Sequence, residues 1–349
     1  MTWFEEDDII YGKFNNYKGK HKYAYGFDLD HTIIKPKSGK TFSKDIKDWK
    51  FNYDNIVKRL KEINKEYNIV IFTNQKHKTK EYLHAKFADI AEKISIPICF
   101  FACVGDSINR KPRLGMLKKF ETFGSVLKIY CGDASGRVYS KNKKDFSAAD
   151  ITFAMNANVH FSTPENTFLN EPSSHKIIFP FKPKEELCNY KKLIFPKSMI
   201  IMTGSPGSGK STFVKKWVKH DVIFSNDISG NKKKTLKALN IFLENYNNEI
   251  IVIDNTHPLK IDRKTLIDIA KNKQMKTVCI FMDANKEHVK HNLLYRTITS
   301  TKHIPFMAAN IFFKKLEIPD KSEGFDQMKH VKFCSQSKDK LYYTYLLDK

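Results

Sequence analysis

Gly204-Ser205-Pro206-Gly207-Ser208-Gly209-Lys210-Ser211-Thr212 stands between an apolar run, Met199 to Met202, and an amphipathic segment carrying Phe213, Val214, Trp217 and Val218. Strand, glycine-rich turn and helix in that order make a phosphate cradle. The glycines let backbone N–H groups converge on an anion, the helix start adds its own, and Lys210 supplies a mobile positive charge. Ser211 is placed to offer its hydroxyl to a magnesium ion bridging the terminal phosphates of ATP. The expected nucleotide-binding set is Gly204, Ser205, Gly207, Ser208, Gly209, Lys210, Ser211 and Thr212. Downstream, Asp227 follows the apolar run Val222 to Phe224 and is expected to accept the proton of an attacking hydroxyl; a helix cap is the plainer alternative. Asp254 ends Ile250-Ile251-Val252-Ile253 and is expected to orient magnesium-bound water or the phosphate loop, with Asn255 and Thr256 positioning substrate. Arg296, on a segment of helical spacing, is expected as a lid cation over the ATP phosphates, although an ordinary exposed arginine would read the same way.

A second constellation lies upstream. Tyr23-Ala24-Tyr25-Gly26-Phe27 runs directly into Asp28-Leu29-Asp30, so two carboxylates sit just beyond a strand end, where open α/β folds place their ligands. One can attack phosphorus and bind magnesium while the other moves a proton to the leaving oxygen. An isolated Asp-x-Asp is weak evidence, because acidic turns are common. Here the apolar run 68–72 ends at Thr73-Asn74-Gln75, the β-rich run 94–104 leads to Asn109-Arg110-Lys111-Pro112, and Val126 to Cys131 leads to Gly132-Asp133. Thr73 can donate to phosphate, Lys111 can neutralise the developing charge, and Asp133 can complete an oxygen-rich magnesium site with Asp28. Lys141 to Lys144, followed by Asp145 to Asp150, can be a solvated loop, a DNA-facing edge or a support for that metal site.

Strand and helix signals must alternate to present these exits. Ile56, Val57, Leu60 and Ile63 recur at helical spacing, helices are expected near 80–93, 262–272 and 286–297, and a strand over 278–282. Residues 1 to about 20 read as a strand or extended arm, and Lys232 to Lys234 open a helix reaching toward Tyr246. Pro164, Pro172, Pro180, Pro183 and Pro196 interrupt the middle of the chain, which places the join near 180–195. The expected division is 1–185 and 186–349, two α/β domains with mostly parallel sheets. A hydrophobic content of 41% supports folded cores, and a formal charge of +23 favours a polyanionic partner whose binding weakens with salt. No apolar run reaches membrane-spanning length, so no membrane partner is expected. The six cysteines lack zinc-knuckle spacing and are read as reduced core residues of an intracellular protein.

The ordered exits Asp28/Asp30, Thr73, Lys111 and Asp133 resemble the haloacid dehalogenase-like phosphatase superfamily. That resemblance implies Asp28 as the nucleophile that becomes an aspartyl-phosphate, Asp30 as general acid/base, Thr73 as a phosphate contact, and Lys111 as the charge-stabilising lysine. It places magnesium on Asp28, Asp30 and Asp133; in the other half Ser211 and Asp254 hold it. His31 departs from the glycine usual after the second aspartate.

Along nearly the whole chain the motifs resemble the eukaryotic-type polynucleotide kinase 3′-phosphatase family. They include Ile71-Phe72-Thr73-Asn74-Gln75, Lys143-Lys144-Asp145-Phe146-Ser147, Val252-Ile253-Asp254-Asn255-Thr256, His291-Asn292 and Glu323-Gly324-Phe325. The implied fold is a phosphatase domain of haloacid dehalogenase type followed by a P-loop kinase domain. The implied activity is DNA end healing, with 3′-phosphates hydrolysed and 5′-hydroxyls phosphorylated by ATP, the latter activated by Asp227 with Arg296 facing the phosphates. Asn226 stands where the family commonly has an arginine before the catalytic aspartate, with Lys232 to Lys234 as the expected compensation, and Leu294 stands where the lid helix commonly supplies another arginine. The family's N-terminal phosphopeptide-binding module is not expected before residue 1, which suits a compact viral or divergent eukaryotic enzyme. Coupling to a DNA ligase, a monomeric state, and a nuclear or cytoplasmic viral replication compartment complete the expectation. RNA end repair stays open, and a scaffold using ATP as a switch is the alternative of another class.

Overall fold

The computed structural model describes residues 2–76, 78–300 and 303–349. The chain separates into two units, residues 1–182 with 344–349, and residues 183–343. The division expected at 185/186 assigned the last six residues to the second unit. They cluster with the first: Tyr345 N–H donates to Asn156 Oδ1 at 2.9 Å, Asn156 Nδ2 donates to the Tyr345 carbonyl at 2.8 Å, and Ala148 N–H donates to the Asp348 carbonyl at 3.0 Å. Pairing of this kind runs through backbone groups and one amide, which carry no pattern in sequence.

In the first unit the strands are β1 (Thr2–Glu6), β2 (Ile9–Phe14), β3 (Tyr23–Phe27), β4 (Asn68–Asn74), β5 (Ile98–Cys103), β6 (Val126–Cys131) and β7 (His160–Ser162). They form one sheet in the order β1-β2-β5-β4-β3-β6-β7. Every pair from β5 to β7 is parallel, and the β1–β2 hairpin is added antiparallel along β5. Side chains of alternate residues go to opposite faces, so Tyr25, Phe27, Ile69 and Ile71 join one core layer while Ala24, Val70, Phe72 and Tyr130 join the other. Gly26 is needed where it stands, because a Cβ there would press on Leu127 and Tyr130. This packing leaves the carboxyl ends of β3, β4, β5 and β6 side by side.

The second unit holds β8 (Ser198–Thr203), β9 (Val222–Phe224), β10 (Ile251–Ile253), β11 (Lys276–Asp283) and β12 (Gln327–Lys332), in the all-parallel order β9-β10-β8-β11-β12. Helices Lys232–Glu244 and Lys260–Asn272 cover one face through Leu239, Leu243, Leu266 and Ile267; Phe213 and Val214 of helix Lys210–Trp217 cover the other. β8 lies between β10 and β11, so the loop leaving it faces the sheet's switch point.

The reading of all six cysteines as reduced core residues is corrected for two. Cys188 and Cys334 form a disulfide within the second unit, 146 positions apart in sequence, a distance over which spacing carries no signal. Cys99, Cys103, Cys131 and Cys279 are free and buried.

Candidate active sites

Asp28 leaves β3 with its N–H bonded to the Cys131 carbonyl of β6 at 2.8 Å. Lys111 reaches it from the loop after β5, which the end of β4 clamps: Asn74 Oδ1 accepts the Lys111 N–H at 2.9 Å, and Asn74 Nδ2 donates to the Lys111 carbonyl at 3.1 Å. The Lys111 ammonium donates to Asp28 Oδ1 at 2.6 Å, to Asp150 Oδ1 at 2.7 Å and to the Tyr130 hydroxyl at 2.8 Å. Asp150 opens the helix Ala149–Ala157 and its Oδ2 accepts the Ala134 N–H at 3.0 Å. Any side chain at residue 132 would collide with the Asp150 carboxylate, which accounts for Gly132. Thr32, fully buried, donates to Asp133 Oδ1 at 3.2 Å and accepts the Asp133 N–H at 3.1 Å.

Among the described residues, the carboxylates of Asp28, Asp133 and Asp150 offer oxygens within 4.8 Å of one another. Three carboxylates against one ammonium leave an excess of negative charge in a desolvated pocket. Burial, and then the neighbouring Asp150 and Asp133 charges working against Lys111, raises the Asp28 carboxyl well above its ordinary range. Burial followed by the charge of Asp150 pushes Asp133 up to about 8. Burial opposes the Lys111 charge, but Asp150 and Asp28 outweigh it and raise the ammonium. Hard oxygens in this number and spacing, short of positive charge, fit a magnesium ion.

The structure gathers Asp28, Lys111 and Asp133, and the third carboxylate of the cluster is that of Asp150, whereas the carboxylate of Asp30, expected with Asp28 and Asp133, is not part of it. The strand ends at Phe27, so the two-residue alternation that would align Asp30 with Asp28 is already lost at the aspartates, and His31 then turns the chain with φ of 62°. Asp30 Oδ2 instead accepts Gln75 Nε2 at 2.6 Å, and Gln75 Nε2 also reaches Thr73 Oγ1 at 2.9 Å. His31 is held in this uncommon conformation by Asn52 Nδ2 on its carbonyl, 2.7 Å, and by its own Nε2 on the Thr41 carbonyl, 2.8 Å. The segment 145–150, left open between three roles, divides between two residues. Asp145 anchors the buried Arg137 at 2.9 Å, whereas Asp150 joins the cluster. Asp150 and Thr32 were missing from the expected site; the obligatory glycine at 132 is the one local signal that points to a close neighbour.

The second site is a cleft of about 610 Å³ lined by Gly207, Lys210, Ser211, Asp227, Asp254 and Arg296. Gly207 and Gly209 have φ of 78° and 83°, and Gly204 has 154°, which bends the loop around the start of helix Lys210–Trp217. Lys210 folds its ammonium onto the Gly204 and Ser205 carbonyls at 2.9 and 2.8 Å. Burial lowers it to about 8, against the opposing charges of Asp254 and Asp227. Ser208 Oγ and Asp254 Oδ1 are buried without a hydrogen-bond partner, which fits a phosphate and a hydrated cation seated there. Asp227 lies on a short helix capped by Ser225, whose Oγ accepts the Ile228 N–H at 3.2 Å.

Asn255 and Thr256 do structural work. Asn255 Oδ1 accepts the Asn226 N–H at 2.8 Å, next to Asp227, and the Thr256 carbonyl accepts the Gly204 N–H at 3.1 Å. Asn226, where the family resemblance leads one to expect arginine, uses its side-chain oxygen to accept Thr235 Oγ1 at 2.9 Å. Lys232 is paired with Asp262 at 2.5 Å. Asn292, one turn before Arg296, donates to the Gly207 carbonyl at 2.8 Å and ties the helix Lys286–Thr299 to the glycine-rich loop.

The polynucleotide kinase 3 phosphatase family model matches residues 23–168. The bifunctional polynucleotide phosphatase/kinase of Schizosaccharomyces pombe is 32% identical, the match covering 95% of this chain and 85% of that protein. A protein of Acanthamoeba polyphaga mimivirus described as a bifunctional polynucleotide phosphatase/kinase is 31% identical over 95% of this chain and 90% of its own. The polynucleotide 3′-phosphatase of Saccharomyces cerevisiae is 32% identical over 42% of this chain and 87% of its own.

Proposed function

The chain belongs to the bifunctional polynucleotide phosphatase/kinase family, and we propose that its first unit removes 3′-phosphates from DNA through Asp28 while its second phosphorylates DNA 5′-hydroxyls through Asp227. It is an enzyme of polynucleotide ends, both a 3′-phosphatase and an ATP-dependent 5′-hydroxyl kinase. The observation that carries the residue assignment is the Lys111 ammonium seated between Asp28 and Asp150, with Asp133 alongside.

In the first site Asp28 supplies the attacking oxygen and Lys111 the positive charge that steadies the phosphoryl oxygens. Asp30, outside the metal group, carries the proton to the departing sugar oxygen. Asp28, Asp133 and Asp150 would hold magnesium, which when bound neutralises phosphoryl charge. In the second site the phosphate loop and Lys210 bind the ATP phosphates, Ser211 and Asp254 would hold the second magnesium, Asp227 takes the proton of the 5′-hydroxyl, and Arg296 faces the transferred group. The products, a 3′-hydroxyl and a 5′-phosphate, are the pair a DNA ligase joins, which suits a role beside a ligase in repair or replication inside the cell.

Nicked DNA bearing a labelled 3′-phosphate and a labelled 5′-hydroxyl tests both assignments in one tube with magnesium and ATP. Asp28→Asn is expected to abolish 3′-phosphate release while 5′ labelling continues, and Lys210→Ala to do the reverse. Loss of neither activity would overturn the residue assignments; faster turnover of matched RNA ends would move the substrate class to RNA.

A further inference from the structure

Helix Lys80–Ile94 turns Leu83, Phe87, Ile90 and Ile94 into the first unit's core, and one lysine goes in with them. Lys86 is 2% exposed. Its ammonium lies 3.4 Å from Asp30 Oδ1 and 3.4 Å from Ser43 Oγ. Both contacts are longer than the ~2.7–2.9 Å of a strong charge-assisted hydrogen bond. The ammonium also stands 5.9 Å from the centre of the Tyr82 ring, at the outer reach of a cation–π contact; burying it for contacts this long opposes folding, so stability does not explain the residue. What Lys86 does touch is the oxygen of Asp30 that Gln75 leaves free, since Gln75 Nε2 holds Oδ2 at 2.6 Å. The Asp30 side chain is 34% exposed. Core packing therefore does not set its plane; contacts from Gln75, just past β4, and from this helix do.

We propose that Lys86 is a positioning residue for the phosphatase reaction, fixing the Asp30 carboxylate in the orientation from which it exchanges protons with the departing and entering oxygens. The proposal rests on the phosphatase reading of this site. In the first step an Asp28 oxygen bonds to phosphorus, the bond from phosphorus to the sugar 3′-oxygen breaks, and that oxygen takes the proton held by Asp30. In the second, a water oxygen bonds to phosphorus and gives its proton to Asp30. The bond from phosphorus to Asp28 then breaks, releasing phosphate and the free carboxylate.

A misdirected Asp30 harms the first step only where the leaving oxygen needs a proton. A sugar alkoxide does; p-nitrophenolate does not. The ratio kcat/KM reports the steps through the first irreversible bond cleavage, so it isolates that difference. For Lys86→Met in the full chain with magnesium, kcat/KM on a 3′-phosphorylated oligodeoxynucleotide is expected to fall about 10–100-fold, within the reach of a general acid. With p-nitrophenyl phosphate it should stay within about threefold. The oligonucleotide loss should appear in the single-turnover rate at saturation, Lys86→Arg should recover much of it, and Lys86→Gln should repeat the Met result should Met fail to fold. Equal losses on both substrates, or no loss on either, would overturn the proposal, as would a loss confined to KM, which would make Lys86 a DNA contact. Absence of turnover of both substrates by the unaltered protein would overturn the phosphatase reading itself.

Discussion

Lys111 is buried among Asp28, Asp150 and Tyr130, and removing any one charge from such a cluster unbalances the rest. Asp150→Asn keeps the shape that Gly132 accommodates but removes one charge from the carboxylate cluster proposed to hold magnesium. Magnesium affinity of the phosphatase site, measured by calorimetry, is expected to fall at least about tenfold, with the magnesium dependence of 5′ labelling unchanged. The raised carboxyl of Asp133 sets a pH dependence of definite sign. Its ordinary value is 3.8 and its folded value about 8, so the folded state holds a proton that the unfolded chain has lost. That contribution to stability is complete below the ordinary value and disappears as pH rises through about 8. In EDTA the first unit should unfold at a lower temperature at pH 9 than at pH 6, and added magnesium should raise the midpoint more at pH 9, because binding displaces the proton. Asp28, Lys111 and Asp133 were legible because each follows an apolar strand. Asp150 was not, since it lies 39 positions from Lys111 and on a helix.

Elements place these residues through a few polar anchors whose partners are distant in sequence. The best defined is in the second unit, where Arg263, fully buried on helix Lys260–Asn272, makes two bonds to Glu323 at 2.7 and 2.6 Å and donates to the His257 and Pro258 carbonyls at 2.9 and 3.2 Å. It thereby joins the strand-exit segment after Asp254 to the turn before β12. The Glu323-Gly324-Phe325 motif has its physical meaning in this anchor. Breaking the pair leaves a buried charge uncompensated, so Glu323→Gln is expected to destabilise the second unit by about 3–5 kcal/mol in thermal or denaturant unfolding, with 3′-phosphatase turnover unchanged. The sequence reading placed a helix over 262–272, within the observed Lys260–Asn272, but had no means of finding the glutamate 60 positions from Arg263 that holds it.

For the molecule as a whole, charge and thiol chemistry are the testable properties. With 61 Lys and Arg against 38 Asp and Glu, binding to single-stranded DNA should weaken steeply and linearly on a logarithmic salt scale, with a slope of about −0.7 per phosphate neutralised. The cysteines should fall into two classes. Burial pushes the Cys103 thiol up to about 12 and Cys279 up to about 11, and raises Cys99 and Cys131 further, so these four are protected from thiol reagents. After reduction, the folded protein should expose two fast-reacting thiols, Cys188 and Cys334, and the remaining four should react only on unfolding. More than two fast thiols would show that one of the buried four is accessible.

Local chemistry was enough to write down the phosphate loop, the strand exits and the alternation of strand and helix, since each depends on neighbours within a few positions: glycines for positive φ, apolar runs for buried strands, a lysine beside the anion they surround. The gathering of Asp150, and not Asp30, beside Asp28 and Asp133, the clamp from Asn74 to Lys111, the Cys188–Cys334 bond and the return of residues 344–349 to the first unit required the folded chain. All four bring together groups tens to hundreds of positions apart, through contacts that depend on direction in space and leave no period in the sequence.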